Sequence, residues 1–186
     1  MKLNLPNKLT LLRIALVPVF MAFLLIRFAD AYQVYGRYVA VVVFIIAAIT
    51  DGVDGYIARK RGLVTRLGKF IDPLADKLLI SAALIALVDL GDISAWPAII
   101  IIGREFAVTG LRVLAAAEGV VIAASNLGKY KTNAQIFAII ALMVNLPYAQ
   151  VLLWIAVILT VISGLDYLMK SKKIIKDDTD EKSEDN

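Results

Sequence analysis

The chain of 186 residues contains no cysteine and no histidine. The missing cysteine excludes disulfide bonds, thiolate nucleophiles and zinc–cysteine sites, and the missing histidine removes the commonest general base and the commonest transition-metal ligand. Charged residues are also scarce, at 19% of the chain. Any chemistry must therefore depend on carboxylates, lysines, arginines and hydroxyl groups.

Apolar residues dominate what remains: 60% of the chain is hydrophobic and the mean hydropathy is +0.79. These values are typical of an integral membrane protein. A net charge of +4 would suggest an anionic partner for a soluble protein, but in a membrane protein it reflects lysines and arginines in cytoplasmic loops. We adopt the second interpretation and expect no nucleic-acid partner.

Six apolar stretches are candidates to cross a bilayer, which needs about 20 residues of helix. They are residues 9–28, 38–58, 72–90, 94–117, 132–147 and 149–169. Basic residues lie before the first stretch, after the second and after the sixth: Lys2, Lys8, Lys60, Arg61, Arg66, Lys69, Lys170, Lys172, Lys173 and Lys176. The alternate connections carry almost none.

This alternation predicts the topology, because cytoplasmic loops of membrane proteins are enriched in lysine and arginine. We predict an all-α fold, a polytopic bundle of six transmembrane helices over residues 1–170 in the cytoplasmic membrane. Both termini are expected on the cytoplasmic side. Residues 171–186 form a charged cytoplasmic tail, to which the sequence assigns no function.

Four aspartates lie beside these apolar stretches: Asp51, Asp54, Asp72 and Asp76. Each would oppose insertion by about 2.5 to 3.5 kcal/mol near the centre of a spanning helix, so they must be compensated. At about 100° per residue, the first two share one helix face and the last two lie one above the other on the next helix. A short basic connection makes the two helices antiparallel neighbours, so the pairs can meet.

An all-oxygen cluster of this kind, with neither histidine nor cysteine, suits Mg²⁺ or Mn²⁺. Gly55 and Ala58 fall on the same helix face as the first two acids, where they leave open space for a bulky ligand. Small residues can instead allow membrane helices to pack closely. For Gly55 and Ala58 taken by themselves, that alternative stays open.

The spacing Asp51-x2-Asp54-Gly55-x2-Ala58-Arg59-x8-Gly68-x3-Asp72-x3-Asp76 resembles the complete signature of the CDP-alcohol phosphotransferases. The resemblance implies that two divalent cations sit on the pyrophosphate of a CDP-linked lipid. Asp51, Asp54 and Asp72 would be metal ligands. Asp76 would also contact metal and would be the catalytic base that deprotonates the acceptor hydroxyl.

The same resemblance implies a binding site for the CDP-diacylglycerol donor. Its residues would come from the signature and from the first helix: Gly55, Ala58, Arg59, Thr65 and Gly68, with Asn7, Thr10 and Arg13. Arg59 is the predicted phosphate contact. The plainer alternatives are a positive-inside anchor for Arg59 and an interfacial hydroxyl for Thr10.

Downstream, the string GREFAVTGLRVLAAAEGVVIAASNLGKYKT resembles the bacterial phosphatidylglycerophosphate synthases, one branch of that family. The branch implies sn-glycerol 3-phosphate as acceptor, with a phosphate dianion that needs fixed cationic donors. The available cations are Arg104, Arg112, Lys129 and Lys131. The alternatives are pairing of Arg104 with Glu105 or the aspartates, and a simple loop position for the two lysines.

The sequence thus predicts an enzyme that joins the phosphatidyl group of CDP-diacylglycerol to glycerol 3-phosphate at the cytoplasmic membrane surface, and the resemblance suggests a homodimer. Two alternatives remain open. One is the same chemistry with inositol phosphate, serine or phosphatidylglycerol as acceptor. The other is an ion-coupled transporter, which the near absence of charge in the last two stretches and of an internal repeat argues against.

Overall fold

The computed structural model describes residues 5–26, 30–61, 66–117 and 126–184, and all regular structure in these ranges is helical. Its side-chain description leaves out 51–70, Asp72, Pro73, Asp76, a few helix-end residues and the tail after Met169. Six helices occupy the described ranges: α1 (Leu5–Leu25), α2 (Asp30–Arg61), α3 (Arg66–Asp89), α4 (Ala95–Ala117), α5 (Asn126–Met143) and α6 (Ala149–Glu184).

Every predicted apolar stretch forms a helix, but several helix ends differ from the prediction. α2 begins at Asp30 rather than at 38, and α5 spans Asn126–Met143 rather than 132–147. The backbone of α6 continues helically through the predicted tail to Glu184. No glycine or proline follows Gly164 before that point, so nothing in the sequence interrupts the helix.

Length and composition allow two of the described helical segments to cross a membrane, Asn7–Leu25 and Ala149–Met169. Tyr35–Thr50 in α2 is apolar but shorter. Charged side chains interrupt the other helices, as Lys77 does in α3 and Arg104 in α4. The six-helix architecture is therefore confirmed, and passage of all six helices through a bilayer stays a prediction.

The turns after α3 and α5 close in the same way. Gly91, with φ of 77°, donates its N–H to Val88 O at 3.0 Å, and Asn145, with φ of 52°, donates to Leu142 O at 3.1 Å. In each turn the next residue closes a longer bond to the helix, which completes a Schellman cap. The left-handed backbone at these positions favours glycine and asparagine.

These two turns meet the start of α2 at one end of the bundle. Arg37 donates to Asp92 Oδ2 at 2.8 Å and to Asn145 Oδ1 at 3.2 Å, and Gln150 Nε2 donates to the backbone oxygen of Asp92 at 2.6 Å. We call these four residues the Arg37 cluster. Because this cluster joins the early part of α2 to the turns after α3 and α5, the start of α1 and the end of α2 lie toward the opposite end of the bundle.

Helix packing divides the bundle into two groups. α1 packs most extensively on α2 and also on α3, while α6 packs on α5 and α4. α2 and α3 also contact each other, as their short basic connection predicts. Phe20 of α1 meets Phe44 of α2 with ring centroids 5.6 Å apart. Buried alanines let the helices approach closely: Ala40, Ala47, Ala82, Ala83, Ala86, Ala138, Ala141 and Ala156.

Candidate active site

The buried face of α1 is polar in its first turns and apolar further along the helix. Asn7, Thr10 and Arg13 are 7%, 1% and 0% exposed, whereas the next turns bury Val17 and Phe20. The spacing of three to four residues places all five on one side of the helix. None of the three polar residues is without a partner. A fully buried guanidinium is tolerated only where opposite charge or strong acceptors surround it.

The polar turns of α1 lie beside the aspartate segment. The antiparallel pairing of α1 and α2 is set by the ring contact of Phe20 with Phe44 and by the close approach of Gly36 to the backbone of Phe23. Continued toward the start of α1, this pairing brings its polar turns level with Asp51 and Asp54 on α2. α3 begins at the same end, so its early turns are also near.

Backbone positions agree with the predicted carboxylate pairs. α2 runs without a break through Asp51 and Asp54, and α3 through Asp72 and Asp76, so each pair occupies one helix face. Their side chains are outside the description, as are those of Ala58 and Arg59 and the surroundings of Gly55 and Gly68. Thr65 lies outside the described residues altogether.

The metal site accordingly stays a prediction. Among residues with described side chains, no three acidic groups gather as a metal site, but that set includes none of the four aspartates. Two facts make the segment a suitable host for Mg²⁺ or Mn²⁺. Its potential ligands are carboxylates, the oxygen donors that hard cations prefer, and two packed helices carry them at spacings that put each pair on one face.

A second polar site lies between α4 and α5. Glu105 accepts a hydrogen bond from Arg104 Nη1 at 3.3 Å and another from Lys131 Nζ. The three side chains are 14%, 16% and 6% exposed, in the order Arg104, Glu105, Lys131. We call them the Arg104 cluster. Two cations share one carboxylate, so the cluster carries an excess positive charge.

The predicted acceptor cations have different surroundings. Arg112 donates from Nε to Tyr167 Oη at 3.0 Å and lies 5.0 Å from the ring centroid, a favourable cation–π arrangement. Lys129 is exposed on the first turns of α5. The structure therefore groups Arg104 with Lys131, sets Arg112 two turns along α4, and leaves Lys129 at the surface. Glu105, the alternative partner considered for Arg104, is indeed bonded to it.

Arg104 and Lys131 lie at a cleft between α4 and α5. Within the described ranges α4 and α5 do not pack directly on each other, and each packs on α6. The bond from Lys131 to Glu105 thus crosses an opening whose back wall is α6. Long flexible cations at such an opening can meet an anion that enters between the helices.

Comparison with known proteins decides the family. The family model described as CDP-alcohol phosphatidyltransferase matches residues 3–162, which include all four aspartates and the cleft residues. The chain belongs to the CDP-alcohol phosphatidyltransferase family. The resemblance drawn from the aspartate spacing is thereby confirmed, and family membership favours a transferase over the transporter alternative.

Curated members of the family are similar over nearly their whole length. The CDP-diacylglycerol--glycerol-3-phosphate 3-phosphatidyltransferase of Bacillus subtilis (strain 168) is 50% identical over 188 residues, covering 93% of this chain and 97% of that protein. The protein of the same name from Rickettsia bellii (strain RML369-C) is 41% identical, covering 91% and 96%. A probable phosphatidylglycerophosphate synthase of Mycobacterium tuberculosis (strain CDC 1551 / Oshkosh) is 42% identical, covering 92% and 83%.

Sequence reasoning about this family member missed the contribution of α6. Thr160, Ser163, Gly164 and Tyr167 recur at helical spacing on one face and are buried against α4 and α5. Gln135 of α5 donates to Thr160 Oγ1 at 2.9 Å. A signal was present, because polar and small residues at i, i+3, i+4 and i+7 interrupt an otherwise apolar run.

Proposed function

We propose that this chain transfers the phosphatidyl group of CDP-diacylglycerol to the primary hydroxyl of sn-glycerol 3-phosphate, which yields phosphatidylglycerophosphate and CMP. Relatives of that name, similar over almost the full chain, support the reaction. The observation that carries the acceptor is the cleft in which Arg104 and Lys131 share one carboxylate. An acceptor that bears a phosphate suits a site where a guanidinium and an ammonium lie together.

At the donor end, Asp51, Asp54, Asp72 and Asp76 would hold two divalent cations, Mg²⁺ or Mn²⁺. Such ions neutralise a pyrophosphate and stabilise the charge that develops on the transferred phosphoryl group. Arg59 of α2, with Thr65 and Gly68, is assigned to the nucleotide. The buried Asn7, Thr10 and Arg13 support this assignment, because α1 brings three polar groups to the same end of the bundle.

In the proposed reaction, Asp76 accepts the proton of the acceptor hydroxyl. The hydroxyl oxygen then attacks the phosphorus that carries the diacylglycerol, and the anhydride bond to CMP breaks, so CMP leaves with the bridging oxygen. General-base assistance of this kind contributes about 100- to 10,000-fold to a rate. No covalent enzyme intermediate is required.

On the acceptor side, Arg104, Arg112, Lys129 and Lys131 are assigned to the phosphate of glycerol 3-phosphate. α4 and α6 both run from the Arg37 cluster toward the aspartate end, and α5 begins at the aspartate end. The cleft between α4 and α5 therefore lies in the half of the bundle that faces the donor site. A guanidinium can bind two phosphate oxygens at once, whereas an ammonium acts as a point charge.

The membrane placement is part of the proposal. All six helices would cross the cytoplasmic membrane, with the aspartates, both termini and the tail of residues 171–186 on the cytoplasmic side. Large apolar side chains on the outer surface support it, including Ile99, Phe106, Phe137, Val151 and Ile158. A homodimer is proposed from the family resemblance, and light scattering of the purified protein would test it.

An acceptor-competition assay tests the reaction. The full chain, reconstituted with CDP-diacylglycerol and Mg²⁺, should release CMP when glycerol 3-phosphate is added. Inositol phosphate, serine and phosphatidylglycerol should give little. Faster release with one of these three would replace the acceptor, while release with none would refute the proposed chemistry.

Metal dependence is tested in the same assay. Chelation with EDTA should stop CMP release, and Mg²⁺ or Mn²⁺ should restore it. Direct binding gives an independent readout, since Mn²⁺ bound to the wild type should be lost in Asp51→Asn. Full activity in EDTA, or equal Mn²⁺ binding by the variant, would remove the metal from the proposal.

A further inference from the structure

A stripe on α6 faces the two arginines of the cleft. Ser163, Gly164 and Tyr167 lie within about 100° of one another around the helix. Each of them contacts Arg104 or Arg112 of α4. We call these three residues the α6 stripe.

Ser163 presents its lone pairs to Arg104. Its hydroxyl is buried and donates to the backbone oxygen of Thr160 at 3.2 Å. Its single proton is therefore engaged, and the oxygen accepts from Arg104 Nη2 at 2.9 Å. This bond fixes one edge of the guanidinium.

Gly164 leaves room for the stem of the same arginine. A Cβ at this position would lie 3.1 Å from Arg104 Cγ and 3.3 Å from Nε. Both distances are shorter than ordinary van der Waals contact. The side chain of Arg104 thus crosses α6 at the point where the helix carries no side chain.

Tyr167 orients the second arginine. Its buried hydroxyl accepts from Arg112 Nε at 3.0 Å, and its ring lies under the guanidinium. Because Nε donates to Tyr167, the bond leaves the pair of terminal nitrogens, Nη1 and Nη2, for a ligand. Those two are the donors that a guanidinium offers to a phosphate in bidentate binding.

We infer that Ser163, Gly164 and Tyr167 are positioning residues that orient Arg104 and Arg112 toward the phosphate of the acceptor. This inference rests on the proposed function. Arginine is long and flexible, so an unsupported one must be ordered when the ligand binds, and that ordering weakens binding. The α6 stripe orders both side chains beforehand and has no contact of its own with the substrate.

The experiment compares two small substitutions with matched controls. Gly164→Ala adds the methyl group that crowds Arg104, and Tyr167→Phe removes the hydroxyl but keeps the ring. Each should raise the KM for glycerol 3-phosphate by about five- to tenfold. The KM for CDP-diacylglycerol should stay within about twofold, because a positioning effect on the cleft does not reach the donor site.

The controls are the same two types of substitution, glycine to alanine and tyrosine to phenylalanine, at positions away from the two arginines. Gly110→Ala lies about 120° around α4 from Arg104, in open space where a Cβ meets nothing within 4 Å. Tyr35→Phe removes an exposed hydroxyl near the start of α2. Both should keep wild-type KM values. Thermal melting of all four variants verifies that they fold.

A double substitution locates the effect of Gly164. If the methyl group acts through Arg104, the double variant Arg104→Ala/Gly164→Ala should have the same acceptor KM as Arg104→Ala alone, because the side chain that the methyl group crowds is absent from both. A further increase of the same size would mean that Gly164 acts by another route.

The outcomes separate this inference from the proposed function. Suppose that the wild type uses glycerol 3-phosphate. If the variants then keep the acceptor KM, or raise the donor and acceptor KM equally, the positioning role alone is overturned. A wild type that prefers another acceptor would overturn the proposed acceptor. If that acceptor carries no phosphate, the inference fails with it.

Discussion

Arg37 at one end of the bundle and Arg104 in the cleft both bond a carboxylate, at 2.8 Å and 3.3 Å, and are 22% and 14% exposed. Arg37 joins elements far apart in the sequence, since its partners are Asp92 and Asn145. Arg104 bonds Glu105, its neighbour in the chain. The first arrangement joins α2 to the turns after α3 and α5. The second joins α4 to α5 through Lys131 and to α6 through Ser163, and it lies at the cleft.

The two clusters also differ in how completely their groups are satisfied. In the Arg37 cluster one cation has a carboxylate and an amide, and Gln150 caps the backbone oxygen of Asp92. In the Arg104 cluster, Arg104 Nε is buried with no hydrogen-bond partner among the described residues. Buried polar groups in native proteins are normally paired. The described groups of the Arg37 cluster follow this rule, whereas Nε of Arg104 does not.

An aspartate-to-asparagine substitution should lower turnover strongly at the donor end of the bundle and hardly at all in the Arg37 cluster. Asp76→Asn removes the proposed base and should lower kcat by about 1,000-fold or more. Donor binding should survive in part. Asp92→Asn alters the Arg37 cluster and should keep near-wild-type kcat in the CMP-release assay. Similar activity of the two variants would remove the proposed role of Asp76.

Arginine truncations make the comparison at the level of KM. Arg112→Ala should raise the KM for glycerol 3-phosphate by about 10- to 100-fold, since a charge-assisted bond to phosphate is lost. Arg37→Ala should leave that KM unchanged. A larger effect of Arg112→Ala on the donor KM would move this residue to the nucleotide site.

Stability should show the reverse order. Arg37→Ala removes the bonds to Asp92 and Asn145, and we expect it to lower the free energy of unfolding by about 1 to 2 kcal/mol, allowing for partial exposure. Arg112→Ala should lower it less. Thermal unfolding in detergent measures both. A more stable Arg37→Ala protein would contradict the structural role of the cluster.

The smallest effect is expected at the turn after α5. Asn145→Ala loses the bond to Arg37. It also puts alanine at φ of 52°, a left-handed conformation that asparagine adopts more readily. It should cost about 1 kcal/mol. Asn145→Gly suits the backbone and should recover part of the loss. Equal melting temperatures for the two variants would mean that the backbone conformation contributes little.

Helix number and family could be deduced from the sequence because the signals are local. Six apolar stretches give six helices, and the signature of aspartates, glycines, alanine and arginine identified the family that the comparisons confirm. Helix ends were harder to predict, because they depend on turns such as the Schellman cap at Asn145. Asparagine adopts both negative and positive φ, so the sequence does not predict a left-handed conformation at this position.

Partners across the bundle could not be deduced in the same way. Arg104 and Arg112 were predicted as acceptor cations, yet their supports are Ser163 and Tyr167, more than fifty positions along the chain. Nothing local to α4 indicates that α6 lies behind it. Likewise Lys131 could have been a loop charge, and only helix packing brings it to Glu105.

The amino-acid sequence by itself determined the helical composition, the exclusion of thiol and imidazole chemistry, and the face-sharing of each aspartate pair, since these follow from residue types and the helical period. The tertiary structure decided which charged groups are saturated and which are not. That balance depends on distances between helices, and such distances arise from packing across the whole bundle rather than from any one segment.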